Sequence, residues 1–264
     1  MKTTTFQVDC RLGYELPQDT SFLFQIHALN GPDQKVLSEL LTLTPQVISR
    51  VYADPLSGQR FLRLQVPAGE FRLHYQAKVS LAPRPRKLDA AELAVEDIPD
   101  EVMHHLLPTR YCESDLLGNA ARKLFGDLPR GHQRVQAISD WIHDHLDYAI
   151  GTTDARTTAA DVFMQRAGVC RDFAHLGISF CRALNIPARL AVGYAVFEAP
   201  PPDFHALFEA FIGGEWVLFD PTGMSPVEDL VRIASGRDAK DVAFSTIFGA
   251  ARMLEMSPQV QRLM

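Results

Sequence analysis

Hydrophobic periodicity changes between residues 80 and 89 of this 264-residue chain, and the change separates two kinds of folding unit. Before about residue 80 the period is two. Phe22, Phe24, Ile26 and Ala28 alternate with Leu23, Gln25 and His27, and Phe71, Leu73, Tyr75, Ala77 and Val79 alternate with Arg72, His74, Gln76 and Lys78. Such alternation marks strands with one buried face. Turn-forming residues at Asn30-Gly31-Pro32-Asp33 and Pro67-Ala68-Gly69 punctuate the runs. The pattern predicts a small antiparallel β-sandwich over residues 1–82.

Ala82-Pro83-Arg84-Pro85-Arg86-Lys87 ends the alternation, and its two prolines predict an extended, basic linker. From about residue 89 to 264 the spacing predicts a second, α+β unit. Leu116, Leu117, Ala120, Ala121, Leu124 and Phe125 share one helical face, as do Val135, Ile138, Trp141, Ile142 and Leu146. Thr158-Ala159-Ala160-Asp161 is a capping box opening a third helix, with Gly168 expected past its end. A fourth helix is expected from Cys170 to near Asn185-Ile186-Pro187. Strands follow at Arg189 to Phe197, Phe204 to Ile212 and Trp216 to Phe219, with Gly213-Gly214 as a hairpin turn between the last two. Residues 226–264 carry no clear pattern.

Lys and Arg total 26 against 32 Asp and Glu, a formal charge of −6 that gives no electrostatic footprint for nucleic acid or an anionic membrane. No run of 18 apolar residues predicts a membrane span, and no apolar core of a signal peptide follows Met1-Lys2. Four scattered cysteines (Cys10, Cys112, Cys170 and Cys181) do not make a disulfide framework, so a reducing, cytoplasmic setting is expected.

Each thiol is then either core filler or chemistry. Cys170 stands at the expected start of its helix, where unpaired N–H groups and the helix dipole favour a thiolate. A small buried apolar residue is the other role open to a lone cysteine. His205 and Asp220 weigh toward chemistry. A two-residue turn at Gly213-Gly214 sets His205 opposite Thr222 and Asp220 opposite Leu207. The two side chains are then diagonal neighbours on one face, about 7–8 Å apart at Cα. An Asp carboxylate in that place is expected to reach imidazole Nδ1 and leave Nε2 for a thiol, the arrangement of covalent catalysis. Read singly, His205 is also a sheet-edge histidine and Asp220 a turn initiator before Pro221.

Gly168-Val169-Cys170-Arg171-Asp172-Phe173-Ala174-His175, then Asn185-Ile186-Pro187-Ala188-Arg189 and Gly193-Tyr194, then Asp203-Phe204-His205-Ala206 and Trp216-Val217-Leu218-Phe219-Asp220-Pro221-Thr222 together resemble the bacterial transglutaminase-like superfamily. The β-rich first 80 residues are similar to the amino-terminal domain that accompanies this core in bacteria. The resemblance implies a papain-like core with Cys170 as nucleophile, His205 as base and Asp220 as orienting acid. Family members commonly carry Trp two residues after the histidine, whereas Leu207 stands here. Tyr148 is the candidate second oxyanion donor, beside the Cys170 N–H, since the family's eukaryotic enzymes place a Trp near this point; a core-packing Tyr is the alternative. Asp172 and His175 are expected to serve as helix-start stabiliser and core histidine, with direct catalysis as the alternative.

Along one helix Cys170 and Cys181 lie about 16 Å apart, too far for a disulfide, so Cys181, like Cys10 and Cys112, reads as structural. His104-His105 and His143-Asp144-His145 lack the helical spacing of metal pairs, and no glycine-rich phosphate loop occurs, so no metal and no cofactor are expected. The expected function is cysteine-dependent acyl transfer on peptide or amide substrates, chiefly hydrolysis. Glutamine–lysine transamidation and a non-catalytic binding module retaining the fold are the alternatives. Oligomeric state leaves no trace in the sequence.

Overall fold

The structure, a computed structural model, describes residues 3–55, 57–82, 88–197 and 203–263. The expected linker at 83–87 lies outside the described residues.

The early strands are β1 (Thr4–Leu16), β2 (Thr20–Phe24), β3 (Gln34–Thr44), β4 (Ser49–Ala53), β5 (Arg60–Val66) and β6 (Gly69–Leu81). Burial alternates along β1 and β6. Phe6, Val8, Cys10, Leu12, Tyr14 and Leu16 of β1 and Phe71, Leu73, Tyr75, Ala77 and Val79 of β6 are all buried. Tyr14, Phe22, Phe24 and Phe71 form one aromatic knot with centroids 5.0–6.4 Å apart. Burying each such ring contributes roughly 1.5–3 kcal/mol. The run after Phe22 behaves differently: β2 ends at Phe24, and Gln25, Ile26, His27 and Ala28 are all buried. This segment leaves the sheet and is covered on both sides. Gln25 N–H donates to Phe244 O at 3.0 Å and Tyr194 Oη donates to Ile26 O at 2.5 Å, both from the later part of the chain.

That later part holds α1 (Asp100–Met103), α2 (Gly118–Phe125), α3 (His132–His145), β7 (Asp147–Tyr148), α4 (Ala159–Gln165), β8 (Ala167–Gly168), α5 (Cys170–Ala183), β9 (Ala188–Tyr194), β10 (Phe204–Ile212), β11 (Glu215–Phe219), β12 (Val231–Gly236), β13 (Ser245–Phe248) and β14 (Arg252–Leu263). The sheet β11-β10-β9-β12 is antiparallel throughout, and α5 packs on it against β10. Gly213 and Gly214 both have positive φ (60° and 80°), so the two-residue turn forms and Phe208 pairs with Phe219 in the expected register. The capping box at Thr158 and Asp161 is present, but the left-handed residue after α4 is Arg166 (φ 59°). Gly168 instead belongs to β8, which pairs in parallel with β7 so that Tyr148 faces Gly168.

The last two strands return to the sandwich. β14 pairs with β1 and β13 with β2, giving four-stranded sheets in the orders β14-β1-β6-β3 and β13-β2-β5-β4. The 89–264 segment thus contributes to both units. Polar contacts join the units further: Leu29 N–H donates to Arg232 O at 3.0 Å, and Gln34 Oε1 accepts the Arg232 N–H at 2.7 Å.

Candidate active site

Cys170 is the first residue of α5, preceded by Val169 in extended geometry (φ −117°, ψ 179°). Asp172, in the first turn and fully buried, accepts the Val169 N–H at 3.0 Å, so the start of this helix is closed by a carboxylate. The close packing of α5 on β10 rests on Gly177, where a Cβ would stand 2.7 Å from the Phe208 ring. That approach carries the beginning of the helix to the beginning of β10: Cys170 Sγ lies 3.8 Å from Phe204 O, one residue before His205. Cys170 is 9% exposed and His205 1%.

His205 Nε2 lies 2.8 Å from Asp220 Oδ2. The expected pairing of these side chains is therefore present, but through the other ring nitrogen. Asp220 sits just past the end of β11, where its carboxylate meets the far side of the imidazole. Nδ1 is buried without a hydrogen bond and is the nitrogen left for the thiol. Asp220 is held in its turn by Thr222, whose N–H and Oγ1 donate to Oδ1 at 2.9 and 2.7 Å. The Phe197 ring stands edge-on to the imidazole, with centroids 5.0 Å apart.

The electrostatics favour an imidazolium–carboxylate pair of His205 and Asp220. Burial works against a charged imidazole, but the hydrogen bond to Asp220 and the adjoining Cys170 side chain outweigh it, raising His205 to about 9. Burial likewise opposes the Asp220 carboxylate and is overcome by His205 and Thr222, which leave its pKa below the usual aspartate value. An imidazolium braced by a carboxylate beside a helix-start thiol is what a cysteine nucleophile needs.

Tyr148 arrives through the two-residue β7–β8 pairing, continued by Ala149 N–H donating to Gly168 O at 2.9 Å. Its hydroxyl lies beside the Cys170 backbone N–H and thiol; burial and then the Cys170 charge push its pKa up, so it stays protonated and able to donate. His175 is fully buried, accepts the Ala239 N–H on Nε2 at 3.1 Å and stacks on Tyr111. Burial drives its pKa down to about 4, so it is a neutral core residue. Cys10, Cys112 and Cys181 are fully buried free thiols, and burial pushes the first two up to about 12. Leu207 packs with Ala195 and Leu230 in a small apolar cluster on the sheet.

Phe197 and Thr222 escaped the sequence reading as members of this site. Thr222 had a signal, since Asp-Pro-Thr places a hydroxyl two residues after the carboxylate. Phe197 had none, because its contact depends on where the chain leaves β9.

Residues 1–95 match the bacterial transglutaminase N-terminal domain, and residues 119–221 match the transglutaminase-like superfamily. A crystal structure from Cytophaga hutchinsonii, of a protein bearing a provisional cysteine-protease name, is 40% identical with a TM-score of 0.93, covering 100% of this chain and 92% of that one. An uncharacterised protein of Mycobacterium leprae is 31% identical over 172 residues, 62% of this chain and 61% of its own. One from Mycobacterium tuberculosis is 30% identical over 122 residues, 41% of this chain and 39% of its own. The matched stretches thus span less than two thirds of these mycobacterial relatives.

Proposed function

This chain belongs to the transglutaminase-like superfamily, and from that premise we propose that it is a cysteine-dependent acyl-transfer enzyme acting on peptide or amide bonds, a hydrolase of the protease or amidase kind. The observation that carries the reading is the buried His205 imidazole, engaged by Asp220 on one nitrogen and flanked by Cys170 at the start of α5.

Cys170 Sγ attacks the amide carbonyl carbon, and the carbonyl oxygen becomes an oxyanion that accepts from the Cys170 N–H and the Tyr148 hydroxyl. One such donor is typically worth about 10²–10³ in rate. His205, protonated and held by Asp220, passes its proton to the leaving amine as the C–N bond breaks. The acyl group then remains on sulfur as a thioester. Neutral His205 next takes a proton from water, whose oxygen attacks the thioester and returns the thiol. An amine entering in place of that water would give transamidation by the same steps.

The name borne by the Cytophaga protein supports the choice of water. The test is a peptide library incubated with the protein, with and without an added primary amine, and read by mass spectrometry. Cleavage or deamidation without amine incorporation is expected. Amine addition as the dominant mass change would replace the hydrolase by a transferase, and no change in either arm would favour a binding module.

A further inference from the structure

Asp172 does more than a helix start requires. Capping α5 needs only its acceptance of the Val169 N–H at 3.0 Å, yet the same Oδ2 accepts the Thr153 hydroxyl at 2.6 Å from a segment 19 residues away. Its Oδ1 accepts Arg171 Nε and Nη2 at 3.0 and 2.8 Å, and that Nη2 also donates to Asp154 O at 2.9 Å. Residues 153 and 154 stand five and six positions after Tyr148 in the chain, and Thr152 Oγ1 ties back to Ala149 O at 2.8 Å. A fully buried carboxylate with four donors thus fastens the loop after β7 to the start of α5. Gly168, between the two, has no room for a side chain: a Cβ there would stand 2.8 Å from Asp172 Cβ.

We propose that Asp172, acting through Thr153, is a positioning residue for the oxyanion site, holding the Tyr148 strand and the Cys170 N–H in one rigid frame. The inference rests on the functional reading above, in which Tyr148 and the Cys170 N–H receive the oxyanion. Preorganised donors contribute because they need no rearrangement as charge develops, and a displacement of about 1 Å can cost about 10² in rate. Loosening the Thr153 link would therefore weaken oxyanion binding while leaving the Cys170–His205 pair untouched.

The test is a double-mutant cycle on the full chain: Thr153→Val and Thr153→Ser, each alone and with Tyr148→Phe. A short peptide aldehyde reads the oxyanion site, because addition of Cys170 Sγ to its carbonyl carbon makes a thiohemiacetal whose oxygen occupies that site. Iodoacetamide reads the thiol alone. Thr153→Val should weaken aldehyde binding about tenfold or more, and Thr153→Ser should restore it to within about threefold. Alkylation should change by less than about twofold, and in the Tyr148→Phe background Thr153→Val should add almost nothing. An equal loss in both backgrounds, or no loss with Thr153→Val, overturns the positioning role. A wild-type chain that neither alkylates at Cys170 nor binds the aldehyde fails the functional reading instead, which separates the two failures.

Discussion

Gly177 and Phe208 approach so closely that a Cβ on the glycine would stand 2.7 Å from the ring, which fixes α5 against β10. Gly177→Ala must push helix and strand apart or turn the ring out of its place. Overpacking of this kind costs about 1–3 kcal/mol. Urea denaturation should show that loss, and iodoacetamide should react more slowly with Cys170, because the helix start and His205 separate together. Unchanged stability and reactivity would mean that the packing has slack.

Only one thiol should be reachable in the folded chain. Cys10, Cys112 and Cys181 have no exposed surface, whereas Cys170 keeps 9% and adjoins a raised imidazole. Brief treatment with iodoacetamide at pH 6, followed by peptide mapping, should label Cys170 alone, and Cys170→Ala should abolish both labelling and turnover with the fold intact. Turnover surviving in a folded Cys170→Ala protein would remove the nucleophile from the mechanism.

The pH dependence follows from His205. Its folded value of about 9 lies above the usual 6.5, so the stabilisation from its charge is complete below about 6.5 and fades as pH rises through 9. As the acid that protonates the leaving amine it must carry its proton, so kcat/KM should fall on the alkaline side near pH 9. His205→Gln should remove this decline in stability and raise the pH needed for Cys170 alkylation. Identical stability–pH curves for the two proteins would deny the shift.

Asp220→Asn keeps the shape of the β11 turn but removes the charge facing Nε2, 2.8 Å away. In an analogous serine-based triad that exchange costs about 10⁴ in rate, and a loss of similar order is expected here with little change in KM. Thr222→Val frees the Asp220 carboxylate that Oγ1 holds at 2.7 Å, and about a tenfold loss should follow. Loss below about threefold for Asp220→Asn would reduce the residue to a turn former.

What the sequence announced and what it hid divide along physical lines. The hairpin register was readable because two adjacent glycines favour a two-residue turn, and a loop of that length fixes every pair up to Phe208 and Phe219. The ring nitrogen facing Asp220 was not, because strand register sets which face a side chain occupies and leaves the ring's rotation free. Tyr148 was reachable only by resemblance, since a two-residue parallel pairing has no periodicity to detect. Strand β14 was hidden for a different reason: Arg252 to Leu263 lies at a sheet edge, mostly exposed, and lacks the alternation that marks β1 and β6.

Removal of residues 1–82 tests that last point. β13 and β14 would lose β2 and β1, and the buried Ile26, Gln25 and Gln34 contacts to the second unit would go with them. The shortened chain should be insoluble or bind a hydrophobic dye, since unpaired strands and uncovered apolar faces associate. A soluble, cooperatively folded product with normal Cys170 alkylation would show that the sandwich is dispensable.

The pairing of β1 with β14 also sets an order of events at birth. Thr5 meets Leu263, so β1 waits for β14 before its sheet is complete. At roughly 5–20 residues per second that wait is on the order of 12–50 s, far longer than the microseconds in which a hairpin forms. Once β5 and β6 have been made, Phe6, Val8, Leu12 and Phe22 have them to pack with, but β1 and β2 each keep one unpaired edge until β14 and β13 arrive. The α5–β10 segment that carries the thiol is thus synthesised before β13 and β14 can complete the two sandwich sheets.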